Sequence, residues 1–208
     1  IPIIDSGSAD SLKTTGFYRT TGGVTDTPNN DGLLKTYSTS PTSVVQEFVS
    51  VLGDKPSFYR VLVGGVWTPW RKLFHAGNIL GTVSQSGGVP TGAIIERGSN
   101  ANGEYVRFAD GTQICTRRVS ALSLASLSIS ASGAGGGFRS SENTVAFAAS
   151  FAAPPVTSVA LTNNAQNVFA TCYTASSSGW SVVFRTAGTA VVITDAFTVE
   201  LKAEGRWY

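Results

Sequence analysis

Between Gly16 and Tyr208, apolar runs of four to nine residues recur, each closed by a cluster of Gly, Ser, Asn or Pro. "GFYRTT", "GLLKTYS", "SFYRVLV", "AIIERGS", "NVFATCYT" and "WSVVFRT" follow this rule, rich in the β-branched and aromatic residues that fit a pleated surface. No long window carries a 3.6-residue period. The punctuation is too dense for helices of ordinary length, so the chain is expected to be all-β. "SVVQEFVSVL" (Ser43–Leu52) is the one segment that also fits a helical stripe, through Val44, Val45, Phe48, Val49 and Leu52. Its valines and the Gly-Asp that follows favour a strand.

Local chemistry sets several turns. Gly64-Gly65 lies between "SFYRVLV" and "VWTPWRKLF" and suits the positive φ values of a tight hairpin. Pro69 cannot donate a ladder hydrogen bond, so its strand is expected at an edge or with a bulge. In "EYVRFADGTQICTRR" (Glu104–Arg118), Asp110-Gly111 reads as a two-residue turn. That turn would pair Ala109 with Thr112, Val106 with Cys115 and Glu104 with Arg117, setting Val106, Phe108 and Cys115 on one face. In "RVSALSLASLSISAS" the leucines change parity, and a bulge near Ala125-Ser126 would restore one face. Six strand candidates then follow at regular spacing, the pattern of a sandwich or jelly roll.

Composition narrows the function classes. Among 208 residues 42% are hydrophobic and only 13% charged, against roughly 25% charged in an ordinary globular domain. Such a chain can build a core, and its weakly charged faces suit burial against sister chains. A net charge of +2, evenly spread, makes no electrostatic claim on nucleic acid. The opening Ile-Pro-Ile-Ile-Asp has neither the basic stretch nor the apolar run of a signal peptide or membrane span, and the chain reads as part of something longer. Cys115 and Cys172 lie far apart in separate strand-like runs. Free, buried thiols are the favoured reading, and a bridge between them is the alternative.

Catalysis has little to work with. His75 is the only histidine, so every Ser-His-Asp or Cys-His scheme must use it, and no G-x-S-x-G elbow occurs. "GAGGGF" lacks the strand–helix context of a phosphate loop. A carboxylate pair drawn from Glu96, Glu104, Asp110, Asp195, Glu200 and Glu204 is the remaining route, with surface charge the simpler reading. The chain is therefore expected to be no enzyme, with no cofactor and no metal. Sugar binding asks less: a ring for the C–H face and polar groups for the hydroxyls, carried on loops. "TNNAQN" (Thr162–Asn167) and "YTASSSGW" (Tyr173–Trp180) supply both, giving Asn163, Asn164, Tyr173, Trp180 and Arg185 as candidate contacts.

"GFYRTTGG…TPNNDGLLKTYS…VVQEFVS…FYRVLVGGVWTPWRKLFHAGN" resembles the knob-type repeats of bacteriophage tail fibres and phage-tail-like bacteriocins, over about a third of the chain. "SGGVPTGAIIERGSNANGEYVRFADGTQICTRR" resembles the entry to the C-terminal domain of many phage tail fibres, although the Trp common soon after that cysteine is replaced by Thr116-Arg117. The remainder is similar to the H-type lectin-like sandwich of fibre tips, through Phe147…Phe151-x-x-Pro154-Pro155, Ser178-Gly179-Trp180 and the terminal Gly-Arg-Trp-Tyr. The Arg that usually follows an Asn in that family's central strand is missing, since Val168, Phe169 and Ala170 follow Asn167. The family's sugar site is therefore not carried over.

The resemblance implies residues 1–12 as a connection to a longer fibre, 13–76 as a knob, 77–93 as a neck and 94–208 as a lectin-like sandwich, in a parallel homotrimer. It implies adhesion to a host-cell glycan (lipopolysaccharide or capsule) or an outer-membrane receptor, at the tail-fibre tip of a virion assembled in the host cytoplasm. Partners would be the N-terminal fibre or baseplate components and a tail-fibre assembly chaperone, without nucleic acid or membrane insertion. The rival expectations are a polysaccharide depolymerase and a purely structural fibre segment.

Overall fold

The computed structural model describes the chain apart from residues 30, 54, 122–127, 133–136, 163–167, 189 and 193–196. For 128, 131, 132, 137, 173–175, 191 and 192 it describes the backbone alone. Among the described residues the regular structure is strand throughout, save one 3-10 turn at Ala9–Ser11. The all-β expectation holds. Among the described residues no helix is long and apolar enough to cross a membrane. The chain forms two compact units, Ile1–His75 and Ala76–Tyr208.

The first unit is built on four main strands: β1 (Gly16–Thr20), β2 (Gly32–Ser40), β3 (Ser43–Ser50) and β4 (Ser57–Val63). They pair antiparallel in chain order, and Ile3–Ile4 adds a parallel strand beside β1. Ser43–Ser50 is thus strand: its alternate residues Val44, Gln46 and Phe48 are buried, the period of a sheet face. Gly64 and Gly65 take φ values of 60° and 85°, as their tight turn requires. The returning chain is broken at Pro69. Val66–Trp67 and Arg71–Lys72 each pair with β4; Thr68 still donates its N–H to the Val61 carbonyl at 2.8 Å, and the ladder breaks at Pro69-Trp70. Proline's missing N–H accounts for the interruption at this edge.

The inner face of this sheet packs Leu34 and Phe48 against Ala9 and Val24, with Tyr18, Phe58 and Trp70 around them. Gly32 is required there, because a Cβ would stand 2.3 Å from the Phe48 ring. Gln46, fully buried, donates from Nε2 to the carbonyls of Ala9 (2.9 Å) and Leu12 (3.0 Å), tying the 3-10 turn to the sheet. Arg60 completes the tie: its Nε donates to Gln46 Oε1 and its Nη1 pairs with Asp10 at 2.7 Å. Its guanidinium lies 4.2 and 4.4 Å from the ring centres of Trp67 and Trp70. Burial holds the Arg60 pKa below the usual guanidinium value, against the opposing pull of Asp10.

The second unit sets two sheets over one core. The first sheet has the order β5 (Ile95–Asn100), β6 (Gly103–Phe108), β7 (Thr112–Ser120), then the last and the ninth main strands of the chain. These are β12 (Thr198–Arg206) and β9 (Val156–Thr162). The second sheet centres on β11 (Gly179–Thr186), flanked by β8 (Asn143–Ala146) and β10 (Val168–Ala175). Cys115, Val199, Leu201 and Ala203 from the first sheet meet Val145, Val182, Phe184 and Trp180 from the second. Both cysteines are free, Cys115 fully buried and Cys172 half-buried, and burial pushes both thiols up in pKa.

The hairpin of β6 and β7 differs from expectation by one residue. Tyr105 pairs with Cys115, Val106 with Ile114 and Glu104 with Thr116. The loop is three residues, Ala109-Asp110-Gly111, closed by Gly111 N–H on the Phe108 carbonyl at 3.0 Å. Gly111 has φ 96°, the left-handed residue that ends such a loop. The C-terminus seals it: Trp207 donates from its backbone N–H to Gly111 O and from Nε1 to Phe108 O. A slip of one residue exchanges faces. Cys115 still packs in the core, but Val106 lies on the opposite face and Glu104 does not face Arg117. The bulge expected near Ala125-Ser126 lies outside the described residues.

Candidate functional site

On β7 and β12 the parity of the core leaves Thr116, Arg118, Glu200 and Lys202 on the outer face of the first sheet. Register then assembles neighbours from the whole length of the unit. Glu104, Thr116, Lys202 and Ser158 form one row across β6, β7, β12 and β9, and Arg118, Glu200 and Ala160 form the next. The floor between them is made of small residues, chiefly Gly103, Ser158 and Ala160. The result is an open trough of about 750 Å³. A second depression of about 380 Å³ shares Glu104 and Thr116 and extends to Arg97, Ser99 and Ile114. Together they cross all five strands.

Four cations, Arg97, Arg117, Arg118 and Lys202, line this surface against two carboxylates, Glu104 and Glu200. Arg118 pairs with Glu200, its Nε donating at 3.1 Å, and Lys202 pairs with Glu204 at 3.1 Å. These exposed pairs hold the side chains in place more than they stabilise the fold. Below the trough, Tyr105 lies across Gly98, where a Cβ would stand 2.3 Å from its ring. Its hydroxyl donates to Glu96 Oε1 at 2.8 Å, which raises the phenol pKa by favouring its neutral form. Glu96 Oε2 accepts the Val83 N–H at 2.9 Å, fixing the preceding segment to the sheet. Fixed donors and acceptors over a small-residue floor suit a hydroxyl-rich, partly anionic ligand.

The residues singled out from sequence do not form one site. Asn163 and Asn164 lie outside the described residues, directly after Thr162 at the end of β9. Tyr173 is on β10, where only its backbone is described. Trp180 is a correction: it is fully buried, edge-on to Phe147 with ring centres 4.4 Å apart, and its Nε1 donates to the Lys202 carbonyl at 3.1 Å. It presents no ring face to a ligand, because inward parity on β11 sends it into the core with Val182 and Phe184. Arg185 alternates with Phe184 and points away from that core, beside Phe169 and Arg139 on neighbouring strands. Trp180 and Arg185 therefore stand on opposite faces of one strand. His75 is exposed at the end of the first unit. Among the described residues no group of His, Cys, Asp and Glu is placed to hold a metal.

Sequence reasoning missed Arg118 and Lys202, and it named Glu200 only as one of six carboxylates from which a pair could be drawn. Their signal was the polar alternation in "ELKAE" (Glu200–Glu204) and the outward parity of Thr116 and Arg118. Their assembly depends on pairing between strands some eighty residues apart.

No family model and no curated protein matches this chain. Among solved structures it is similar to the R1 pyocin fibre of P. aeruginosa, C-terminal residues 323–701. Identity is 17%, the match covers 98% of this chain and 67% of that one, and the TM-score is 0.36. The R2 pyocin fibre of P. aeruginosa, residues 323–691, matches at 15% identity over 99% and 66% of the two chains, with a TM-score of 0.34. An N-truncated R2-type pyocin tail fibre matches at 14% identity over 99% and 97%, with a TM-score of 0.34. The chain spans about two thirds of the first two. At such scores the reading of the site rests on the chain's own residues. The structures this all-β chain is similar to are C-terminal parts of pyocin tail fibres.

Proposed function

We propose that the chain is the receptor-binding end of a tail fibre, of a phage or phage-tail-like particle, and that it adheres to a bacterial surface polysaccharide without catalysis. The observation that carries this is the charged trough on the outer sheet of the second unit. It is wide, shallow and open, shaped to lie along a polymer rather than to enclose a small molecule. Arg118, Lys202 and Arg97 offer donors to hydroxyl, carboxylate and phosphate oxygens, and Glu104 and Glu200 accept from hydroxyls. Lipopolysaccharide and capsule both carry this chemistry. Asn163, Asn164, Tyr173 and Arg185 remain proposed contacts at the strand ends.

Each contact of this kind is weak, and a homotrimer would present three copies to one cell surface, which converts weak binding into avidity. The knob, neck and tip boundaries of residues 13–76, 77–93 and 94–208, the N-terminal fibre or baseplate attachment, the assembly chaperone and the virion-tip location belong to the same reading. They are supported by the sequence resemblance.

A second reading has one observation in its favour: Glu104 and Glu200 share the trough, and paired carboxylates are what glycoside hydrolysis needs. Glu200 is already engaged by Arg118, so its carboxylate is not free to face a glycosidic bond. The experiment is labelling of bacteria with the fluorescent protein, comparing wild-type protein with Arg118→Glu/Lys202→Glu. Adhesion through the trough predicts loss of labelling by the double variant with unchanged folding. Full labelling by it would remove the trough, and shortened polysaccharide after incubation would establish the enzyme.

A further inference from the structure

The sheet of the first unit has two apolar faces, and its own core uses one of them. Register defines the other. Arg19, Leu33, Val49 and Ser57 form one row, and Phe17, Lys35, Glu47, Tyr59 and Arg71 the next. Tyr37, Val45 and Val61 form the third. Phe17 is 52% exposed, Tyr37 46%, Val45 38% and, at the end of β4, Val63 65%. Strands that alternate apolar-in and polar-out would read differently. Val44-Val45, Phe48-Val49, Leu33-Leu34 and Val61-Leu62-Val63 are continuous apolar steps, the signature of strands covered on both sides.

We infer that this outer face is covered by a second copy of the chain, with Tyr37, Val45 and Val61 at the centre of the contact. Four strands about 4.8 Å apart, with six residues rising about 3.4 Å each, give a face of roughly 400 Å². That is about half of what one partner buries in a standard interface, so this face would be one part of the contact between copies. Exposed apolar side chains gathered on one such face, here Phe17, Tyr37, Val45 and Val63, mark interaction sites. Its composition fits a protein partner, being aromatic and β-branched with two arginines. The charges fit a copy of the same face. The middle row runs Lys35, Glu47, Tyr59, Arg71, with Lys35 and Glu47 only 3.8 Å apart. Glu47 of one copy can therefore meet Arg71 of the next while Lys35 stays paired. A rotationally related copy satisfies the row, whereas a sugar polymer would leave Val45, Val61 and Val63 facing water.

This inference deepens the homotrimer part of the proposed function, and its test reads assembly directly. Light scattering of the full chain against concentration is compared for wild type, Tyr37→Glu/Val45→Glu and a control, Val156→Glu, placed at a residue 80% exposed in the second unit. The inference expects wild type and control to assemble alike. The double variant should need at least tenfold more protein to assemble, with an unchanged circular-dichroism spectrum. Should the double glutamate misfold, Tyr37→Ser/Val45→Thr, which keeps a strand-compatible surface, should show the same direction of change. A wild-type chain that stays single, or a folded variant that assembles as wild type does, overturns it. A variant that assembles normally but loses labelling of bacteria would assign the face to the cell surface instead, and also overturns it. If wild type assembles and the double variant does not, while wild-type protein fails to label bacteria, this interface stands and only the receptor reading falls.

Discussion

Replacing Trp180 with Phe separates the core from the site more sharply than any loop substitution. The indole is fully buried, packs edge-on to Phe147 and donates one hydrogen bond to the Lys202 carbonyl. Phe keeps the six-membered ring and removes the pyrrole edge and the N–H. The lost hydrogen bond costs about 1 kcal/mol. The missing ring edge removes roughly 40 Å² of apolar burial, about 1 kcal/mol more, with a further contribution from the void left behind. The sum is about 2–3 kcal/mol, which in a unit of this size lowers its melting midpoint by roughly 10 °C. Calorimetry or circular dichroism measures the midpoint, and labelling of bacteria well below it measures adhesion. The core assignment predicts a lower midpoint with labelling intact. A folded Trp180→Phe protein that melts as wild type does but no longer labels cells would refute it.

Arg60→Ala should melt the first unit early, by about 2–4 kcal/mol, because it strips Asp10 and Gln46 of their partner and empties the space between Trp67 and Trp70. The second unit's transition, followed separately in the same scan, should not move. Gly111→Ala should destabilise the second unit by more than about 1 kcal/mol, since φ is 96° and a Cβ would lie 2.8 Å from the Tyr208 ring. Denaturant melts of the variant check this. Both thiols should be free by mass, and Cys115 should stay unreactive towards alkylation at neutral pH until the chain unfolds. Its pKa is raised by burial, so the preference of the native state for the neutral thiol is present below the ordinary thiol pKa and is lost as pH rises through the folded value. Asp110, lowered by the Thr112 N–H it accepts, acts in the other direction. Its contribution is present above the ordinary carboxylate pKa and is lost as pH falls through the folded value, so Asp110→Ala should flatten the acid limb of the stability profile slightly.

What could be seen in the sequence was what short-range chemistry decides. The strand at Ser43–Ser50, the Gly64-Gly65 turn and the break at Pro69 each follow from a few neighbouring residues, and the structure has all three. The β6–β7 hairpin shows where that ends. Asp110-Gly111 is a turn signal for either a two- or a three-residue loop, and the three-residue form it takes is bonded across by Trp207 from nearly a hundred residues away. Trp180 failed for a related reason: "SSSGW" looks like a loop presenting a ring, and only the parity of β11 says which way the ring points. The trough was invisible in kind, since Glu104, Thr116, Lys202 and Ser158 become neighbours through three separate strand pairings. The apolar outer face of the first unit was written in the sequence as unbroken apolar runs, whose meaning depends on knowing that the inner face is already full.

We propose that the second unit holds a bacterial surface polysaccharide in the trough on the outer face of its first sheet. The most direct measurement is binding of the fluorescent full chain to matched bacteria with and without that polysaccharide, each with wild-type protein and with Arg118→Glu/Lys202→Glu. The account predicts labelling only where the polysaccharide is present and the trough is intact. Equal labelling of the polysaccharide-deficient cells, or undiminished labelling by the folded double variant, would contradict it.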